Sequence, residues 1–211
     1  MTNGFRKVIV LAPHTDDGEL GCGGTMARFI EEGKEVYYVA FSSAEKSVPE
    51  GYPKDILTRE IKKAMKELGL PDDHLILFDY DARTFPEYRQ HILDDMIELN
   101  RKIQPDLVLL PSTFDTHQDH QIISQEGFRA FKKCSIFGYE EPWNNLTFTT
   151  NGLVRLEEKH IDKKVKALSG YQSQSKKYYM SEEFTKSLAR TRGAQINIPY
   201  AEAFEVLRWT T

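Results

Sequence analysis

Two short stretches of the chain carry side chains that can bind a metal ion and move protons. The first is His14-Thr15-Asp16-Asp17, which follows an apolar run at residues 8–12 and precedes the glycines at 18, 21, 23 and 24. The second is His117-Gln118-Asp119-His120, which follows an apolar run at residues 107–110. Two imidazoles and one carboxylate with an open position suit a catalytic zinc site that keeps water as its remaining ligand. Further carboxylates beside such ligands are what metal-assisted hydrolysis needs, as base and as orienting partner. The same ligand set also describes an iron(II) oxygenase. The surplus of carboxylates suits hydrolysis better.

The elements that must bring these stretches together follow from hydrophobic periodicity. Strands are expected at residues 8–12, 36–41, 75–78, 107–110 and 135–139, each a short run rich in branched or aromatic side chains. Between them, helices are expected from about 25 to 32, 55 to 68, 87 to 103, and from the second motif to about 133. In the second helix Ile56, Leu57, Ile61, Ala64, Met65 and Leu68 make one apolar face, and Gly69 with Pro71 stops it. Buried-type strands alternating with amphipathic helices predict an α/β, doubly wound, Rossmann-like fold with a mainly parallel sheet and helices on both faces. In the common strand order 3-2-1-4-5, strands one and four flank the switch point, where such folds bind ligands. The two His–Asp loops, about a hundred residues apart, then face each other across one crevice.

The last third is less regular. Residues 146–156 read as a hairpin across Asn151-Gly152, followed by helices at about 160–168 and 181–192 and an apolar tail ending in Trp209. With 211 residues and no linker or repeat, the chain is read as one domain, residues 1–211, with a C-terminal hairpin and helix extension.

Composition removes several classes of function. The net charge of −4 is spread along the chain and leaves no basic stripe for nucleic acid. The lysine pairs 62–63, 132–133, 163–164 and 176–177 read as solvated faces. No apolar run reaches the roughly 18 residues of a membrane span, and residues 1–7 lack the apolar segment of a signal peptide, so a cytoplasmic location is expected. Cys22 and Cys134 make neither a disulfide framework nor a cysteine-type zinc site, and Cys22 reads as a small packing residue. His74, His91 and His160 lack partners in their elements and read as surface or internally satisfied histidines. The glycines after the first strand do not fit the G-x-G-x-x-G spacing of a dinucleotide site, and acidic residues stand where pyrophosphate would sit. Asp16-Asp17 after a strand also admits a bland reading as ordinary helix N-capping.

The paired motifs resemble the LmbE-like and N-acetylglucosaminyl-phosphatidylinositol de-N-acetylase (PIG-L) family of zinc-dependent deacetylases. That family carries His-Pro-Asp-Asp after strand one and His-x-Asp-His after a later strand, matched here by residues 14–17 and 117–120, with Gly23-Gly24. Weaker similarities include Arg59-Glu60, Leu68-Gly69, Lys164, Ala167-Leu168, Tyr171, Ser173-Gln174, Arg192-Gly193 and residues 200–204. The resemblance implies zinc, with iron(II) as the cellular alternative, held by His14, Asp17 and His120. It implies Asp16 as general base, His117 as the group that stabilises the oxyanion or protonates the leaving amine, and Asp119 as its tuning partner. Arg83 is a candidate for a polar or anionic substrate group, and Tyr171 and Arg192 are candidates on the resemblance alone.

Two positions depart from the family pattern. Thr15 replaces the usual proline and frees φ there, and Gly18 stands where many members have Glu, with Glu19 one place later. The expected activity is removal of acetyl from an N-acetylated amino sugar or its conjugate, with a small-molecule substrate. A homo-oligomer is compatible with the sequence. The rival readings are a non-catalytic sugar-binding relative and the iron(II) oxygenase.

Overall fold

A computed structural model describes residues 4–210. Along the chain run β1 (Lys7–Ala12), α1 (Asp17–Glu31), β2 (Glu35–Ala40), α2 (Ile56–Leu68), β3 (Leu75–Leu77), α3 (Arg89–Ile103), β4 (Leu107–Pro111), α4 (Gln118–Ala130) and β5 (Ser135–Tyr139). They are followed by β6 (Gly152–Leu156), α5 (Glu158–Ser169), α6 (Glu182–Ala194) and β7 (Tyr200–Arg208). The seven strands form one sheet in the order β3-β2-β1-β4-β5-β7-β6. β1 to β5 pair in parallel in the expected 3-2-1-4-5 order. β7 runs antiparallel to both of its neighbours.

Both faces of the sheet are covered, which is why its central strands read as unbroken apolar runs. Val8, Val10 and Ala12 of β1 pack with Met26 and Phe29 of α1, Ile61 and Met65 of α2, and Ile161 and Leu168 of α5. Ile9 and Leu11, pointing the other way, pack with Ile92 and Met96 of α3 and Ile123 of α4. Each fully buried aliphatic side chain of this kind contributes about 1.5–3 kcal/mol relative to exposure. α2 ends as expected. Gly69 takes φ +90°, and its N–H reaches the carbonyls of Met65 and Lys66 at 3.1 Å.

Two expectations fail. The Asn151-Gly152 hairpin does not form, because β6 pairs with β7 from the end of the chain. Asn151 joins that pairing: its Oδ1 accepts the Val206 N–H at 2.6 Å. The preceding residues instead cross the carboxyl edge of the sheet, where Asn145 bridges to Asp115. The segment at the end of the chain, read as a tail, is thus an interior strand whose local pattern names no partner.

The first helix also begins eight residues before its expected start, at Asp17 rather than Thr25. It is broken at Cys22, where φ is −143°. Four glycines within seven residues hide a helix from propensity arguments, but close packing requires them at 18, 21 and 24. A Cβ on Gly21 would lie 2.2 Å from the Tyr139 ring, and one on Gly18 would lie 2.5 Å from the Tyr38 ring.

Candidate active site

β1 and β4 are neighbours, so the loops that leave their carboxyl ends meet. His14 follows β1, and Asp17 opens α1. His117 caps α4, with Asp119 and His120 in its first turn. The three imidazoles cluster: ring centroids are 5.2 Å apart for His14 and His117, 5.4 Å for His14 and His120, and 4.7 Å for His117 and His120.

Asp17 sits at the centre. Its Oδ2 accepts the His14 backbone N–H at 2.8 Å and lies 3.0 Å from His14 Nδ1 and 3.3 Å from His120 Nε2. The outer nitrogen of each of these rings is held by a further carboxylate. His14 Nε2 is 3.0 Å from Asp119 Oδ2, and His120 Nδ1 is 2.9 Å from Asp115 Oδ2. A carboxylate behind a histidine is the usual arrangement for a metal-ligating imidazole, because it fixes the tautomer and aims the other nitrogen. One ligand atom from each of His14, Asp17 and His120 falls within 4.8 Å of the others, as does one from each of His14, His117 and Asp119. A third such group, Asp115, His120 and Glu141, is wholly buried, and the backing carboxylates distinguish the first two. In the first, both histidines have their outer nitrogens engaged, so the donor set fits a divalent cation with nitrogen and oxygen ligands.

Charge follows from this packing. Burial disfavours a charged His14, but Asp17 and Asp119 outweigh it and raise the ring to about 9. Burial likewise opposes charge on His120, and Asp17, Glu141 and Asp115 override it and push its pKa well up. Asp17 is held well below the carboxylate range: burial opposes this, and His120 and His14 prevail. His117 is lowered by burial and by the two neighbouring rings.

His117 Nδ1 accepts the Asp119 backbone N–H at 3.2 Å, so in the neutral ring the proton sits on Nε2. The Asp119 carboxylate does not bond His117. It bonds His14 and takes the backbone N–H of Arg83 at 2.5 Å and of Phe85 at 3.3 Å. Its reach is therefore to the other motif and to the loop after β3. Asp16 stands at the N-cap position of α1 but makes no capping bond. Its Oδ2 lies 3.5 Å from Lys177 Nζ, so the bland capping reading fails for this side chain.

His14, Asp16, Asp17, His117 and His120 line a cavity of about 220 Å³ together with Arg83, Trp143, Asn144, Gln174, Lys177 and Tyr179, whereas Asp115 and Asp119 are buried outside its lining. Arg83 is exposed at the rim, on a left-handed backbone with φ +71°. Tyr171 and Arg192 do not reach the cavity. Tyr171 is buried beneath the first loop, with its hydroxyl 2.8 Å from the Thr15 carbonyl and 2.6 Å from Glu19 Oε1. Tyr38 approaches the same carbonyl at 3.0 Å and also bonds Glu19. Burial raises Glu19 to about 8, against the two tyrosine hydrogen bonds. Arg192 is locked in an ion pair with Glu140.

Lysines read as solvated supply much of what the sequence missed. Lys164 is 5% exposed, and its Nζ donates to the Leu20 carbonyl and to Glu202 Oε1, both at 2.7 Å. Glu202 in turn accepts the N–H of Gly24 at 3.0 Å and of Thr25 at 2.6 Å. The pair thus serves both sides of the break in α1. Glu205, from the same strand, accepts from Ser112 Oγ at 2.8 Å and from the Thr113 N–H at 2.9 Å. β7 therefore braces both motif loops from behind. No period or motif announces this, although the resemblance already touched Lys164 and residues 200–204. Cys22 is buried, with its Sγ on the Gly18 carbonyl. His74 bonds the Val36 carbonyl, His160 bonds Glu31, and His91 is exposed.

No helix among the described residues is long and apolar enough to cross a membrane. A diacetylchitobiose deacetylase of Thermococcus kodakarensis is 24% identical over 141 residues, 64% of this chain and 52% of that protein. The match thus spans about half of that relative's length. The uncharacterised deacetylase YaiS of Escherichia coli is 27% identical over 185 residues, covering 81% of this chain and 93% of that one. The crystal structure of the conserved protein TT1542 of Thermus thermophilus superposes with a TM-score of 0.81 at 27% identity, over 97% of this chain and 96% of the other. Residues 9–131, more than half of the chain, match the GlcNAc-PI de-N-acetylase family, and they contain both motifs of the site. The chain belongs to the PIG-L family.

Proposed function

We propose that this chain hydrolyses the acetamide of an N-acetylated amino sugar, or of a conjugate of one, with a zinc ion held by His14, Asp17 and His120. One observation carries the reading. His14 and His120 each flank Asp17, and each has its outer nitrogen on a separate carboxylate, Asp119 and Asp115. The relatives named as deacetylases, one of them for diacetylchitobiose, support the substrate class.

A zinc ion bound there supplies a Lewis acid that lowers the pKa of a bound water toward about 7 and polarises the amide carbonyl. The chain supplies the proton transfers. Asp16 lines the cavity, makes no capping bond and has Lys177 3.5 Å from its Oδ2, so its carboxylate is placed to take the proton of the attacking water. His117, neutral with its proton on Nε2, is a hydrogen-bond donor to the oxyanion that develops on the carbonyl oxygen. Asp16 can then hand the collected proton to the leaving amine nitrogen as the carbon–nitrogen bond breaks, while His117 keeps its own proton on Nε2. Asp119 and Asp115 keep His14 and His120 in one tautomer through this cycle.

The experiment is acetate release from a panel of N-acetylglucosamine derivatives, with protein stripped of metal and reloaded with zinc. The panel spans free sugars, oligosaccharides, nucleotide sugars and inositol conjugates. Zinc-dependent release from one class is the expected result. Silence across the panel with zinc bound stoichiometrically overturns the substrate class, and turnover by the metal-free protein overturns the zinc assignment.

A further inference from the structure

The cavity that holds the histidines also has an aromatic wall, and Lys177 joins that wall to the proposed base. Trp143 and Tyr179 stack at 4.0 Å between ring centroids with an interplanar angle of 10°. The Lys177 ammonium lies 5.6 Å from the Tyr179 ring centroid and 3.5 Å from Asp16 Oδ2. Phe184 backs Trp143 at 5.9 Å. Trp143, Tyr179 and Lys177 all line the cavity that holds His14, Asp16 and His117, and the two rings are only half-buried. The loop that carries Trp143 is itself pinned to the site, since Thr116 donates from its backbone N–H and its hydroxyl to the Asn144 carbonyl at 3.2 and 2.9 Å.

This wall has a recognisable chemistry. A pyranose ring presents C–H bonds on one face and hydroxyls around its edge. A flat aromatic surface complements that face, while cationic and amide groups beside it take the hydroxyls. A linear aliphatic or peptidic acyl amide offers no such flat apolar face. Two stacked rings are also more rigid than one, so little side-chain freedom is lost when a ligand settles against them.

We infer that the Trp143–Tyr179 stack is the sugar-ring subsite of this cavity, with the Lys177 ammonium beside it as an N–H donor to the sugar's hydroxyl oxygens. Trp143 is then a specificity residue for pyranosides rather than a member of the proton-transfer machinery. The inference rests on the amino-sugar reading above and deepens it, but it can be tested separately, because sugar binding is readable without turnover.

The chain has two tryptophans. Trp209 follows Arg208, which pairs with Ile136 at the start of β5, and so lies at the opposite edge of the sheet from the site. Trp209→Phe therefore leaves Trp143 as the sole tryptophan reporter. Full-length W209F protein, zinc-loaded and metal-free in parallel, is titrated with N-acetylglucosamine and with diacetylchitobiose. A saturable change in tryptophan emission is expected in at least one form. In steady-state assays Trp143→Ala and Trp143→Leu raise KM about tenfold with kcat within about threefold, while Trp143→Phe keeps KM within about threefold. Leucine preserves buried volume without a flat face, so it remains informative if the alanine variant does not fold. An unchanged KM in W143L, or no saturable emission change, overturns the subsite. Absence of acetate release from wild type together with a saturable emission change would sink the deacetylase reading and leave the subsite standing.

Discussion

Asp115 Oδ2 lies 2.9 Å from Nδ1 of His120 and so turns Nε2 of that ring toward Asp17, 3.3 Å away. Asp115 is 2% exposed, and its other oxygen accepts the His117 backbone N–H at 2.8 Å. One carboxylate therefore fixes the positions of both histidines of the second motif. It stands two residues before that motif, outside it.

Asp115→Asn is expected to weaken zinc binding about 10- to 100-fold, the usual cost of losing a partner behind a ligating histidine. Competition with a chromogenic chelator measures it. An affinity equal to wild type would mean that His120 is aimed by something else. Asp17→Asn, which alters a proposed ligand itself, should cost more than Asp115→Asn in the same assay.

Asp16→Asn should lower kcat by about 10²- to 10⁴-fold, the typical worth of a general base, with zinc still bound at one equivalent. Metal analysis and acetate assay on one preparation decide this. Loss of metal instead would assign Asp16 as a ligand.

The metal-free protein should lose thermal stability as pH rises. His14 is raised from 6.5 to about 9 in the folded state, so its contribution is fully present below about 6.5 and fades as pH climbs through 9. Glu19, raised from 4.5 to about 8, acts in the same direction, because the folded protein holds a proton that the unfolded chain releases. Melting curves between pH 5 and pH 9 in steps of about half a unit test the sum. Glu19→Gln, which cannot titrate, should flatten the lower part of the slope. Zinc affinity must move oppositely and rise with pH, since His14 and His120 give up protons on binding.

Lys164 and Glu202 are 5% and 6% exposed, and they serve both sides of the break in α1. Removing one partner leaves the other buried and unpaired, so Lys164→Met or Glu202→Leu should cost about 3–5 kcal/mol in denaturant unfolding. The double substitution should recover part of that loss. A single variant as stable as wild type would contradict the arrangement.

Gly21→Ala should destabilise by about 1–3 kcal/mol, because the added methyl meets a fully buried Tyr139 ring that has nowhere to move. Tyr139→Leu in the same background should relieve the clash at the cost of the hydroxyl's bond to the Leu11 carbonyl. Urea denaturation of the two single variants and the double variant separates the terms.

What the sequence determined by itself was local and periodic. The runs at 8–12, 36–41 and 107–110 are apolar throughout because both faces of their strands are covered, and that requires a parallel sheet between helix layers. The order of β1 to β5 followed, and with it the meeting of residues 14–17 with 117–120. Tertiary structure decided the rest, because long-range partners leave no mark at short spacing. Residues 200–208 read as part of an apolar tail; insertion between β5 and β6 made them an interior strand with Glu202 and Glu205 buried behind the two motifs. Asn151-Gly152 carried a genuine turn signal, but pairing with β7 and the Asn145–Asp115 bridge outweighed it. Lys164 and Lys177 belong to pairs whose other members are solvated, and only packing against Glu202 and Asp16 sets them apart. A side chain's type is written in the sequence; which charge it will face is fixed only when the chain folds.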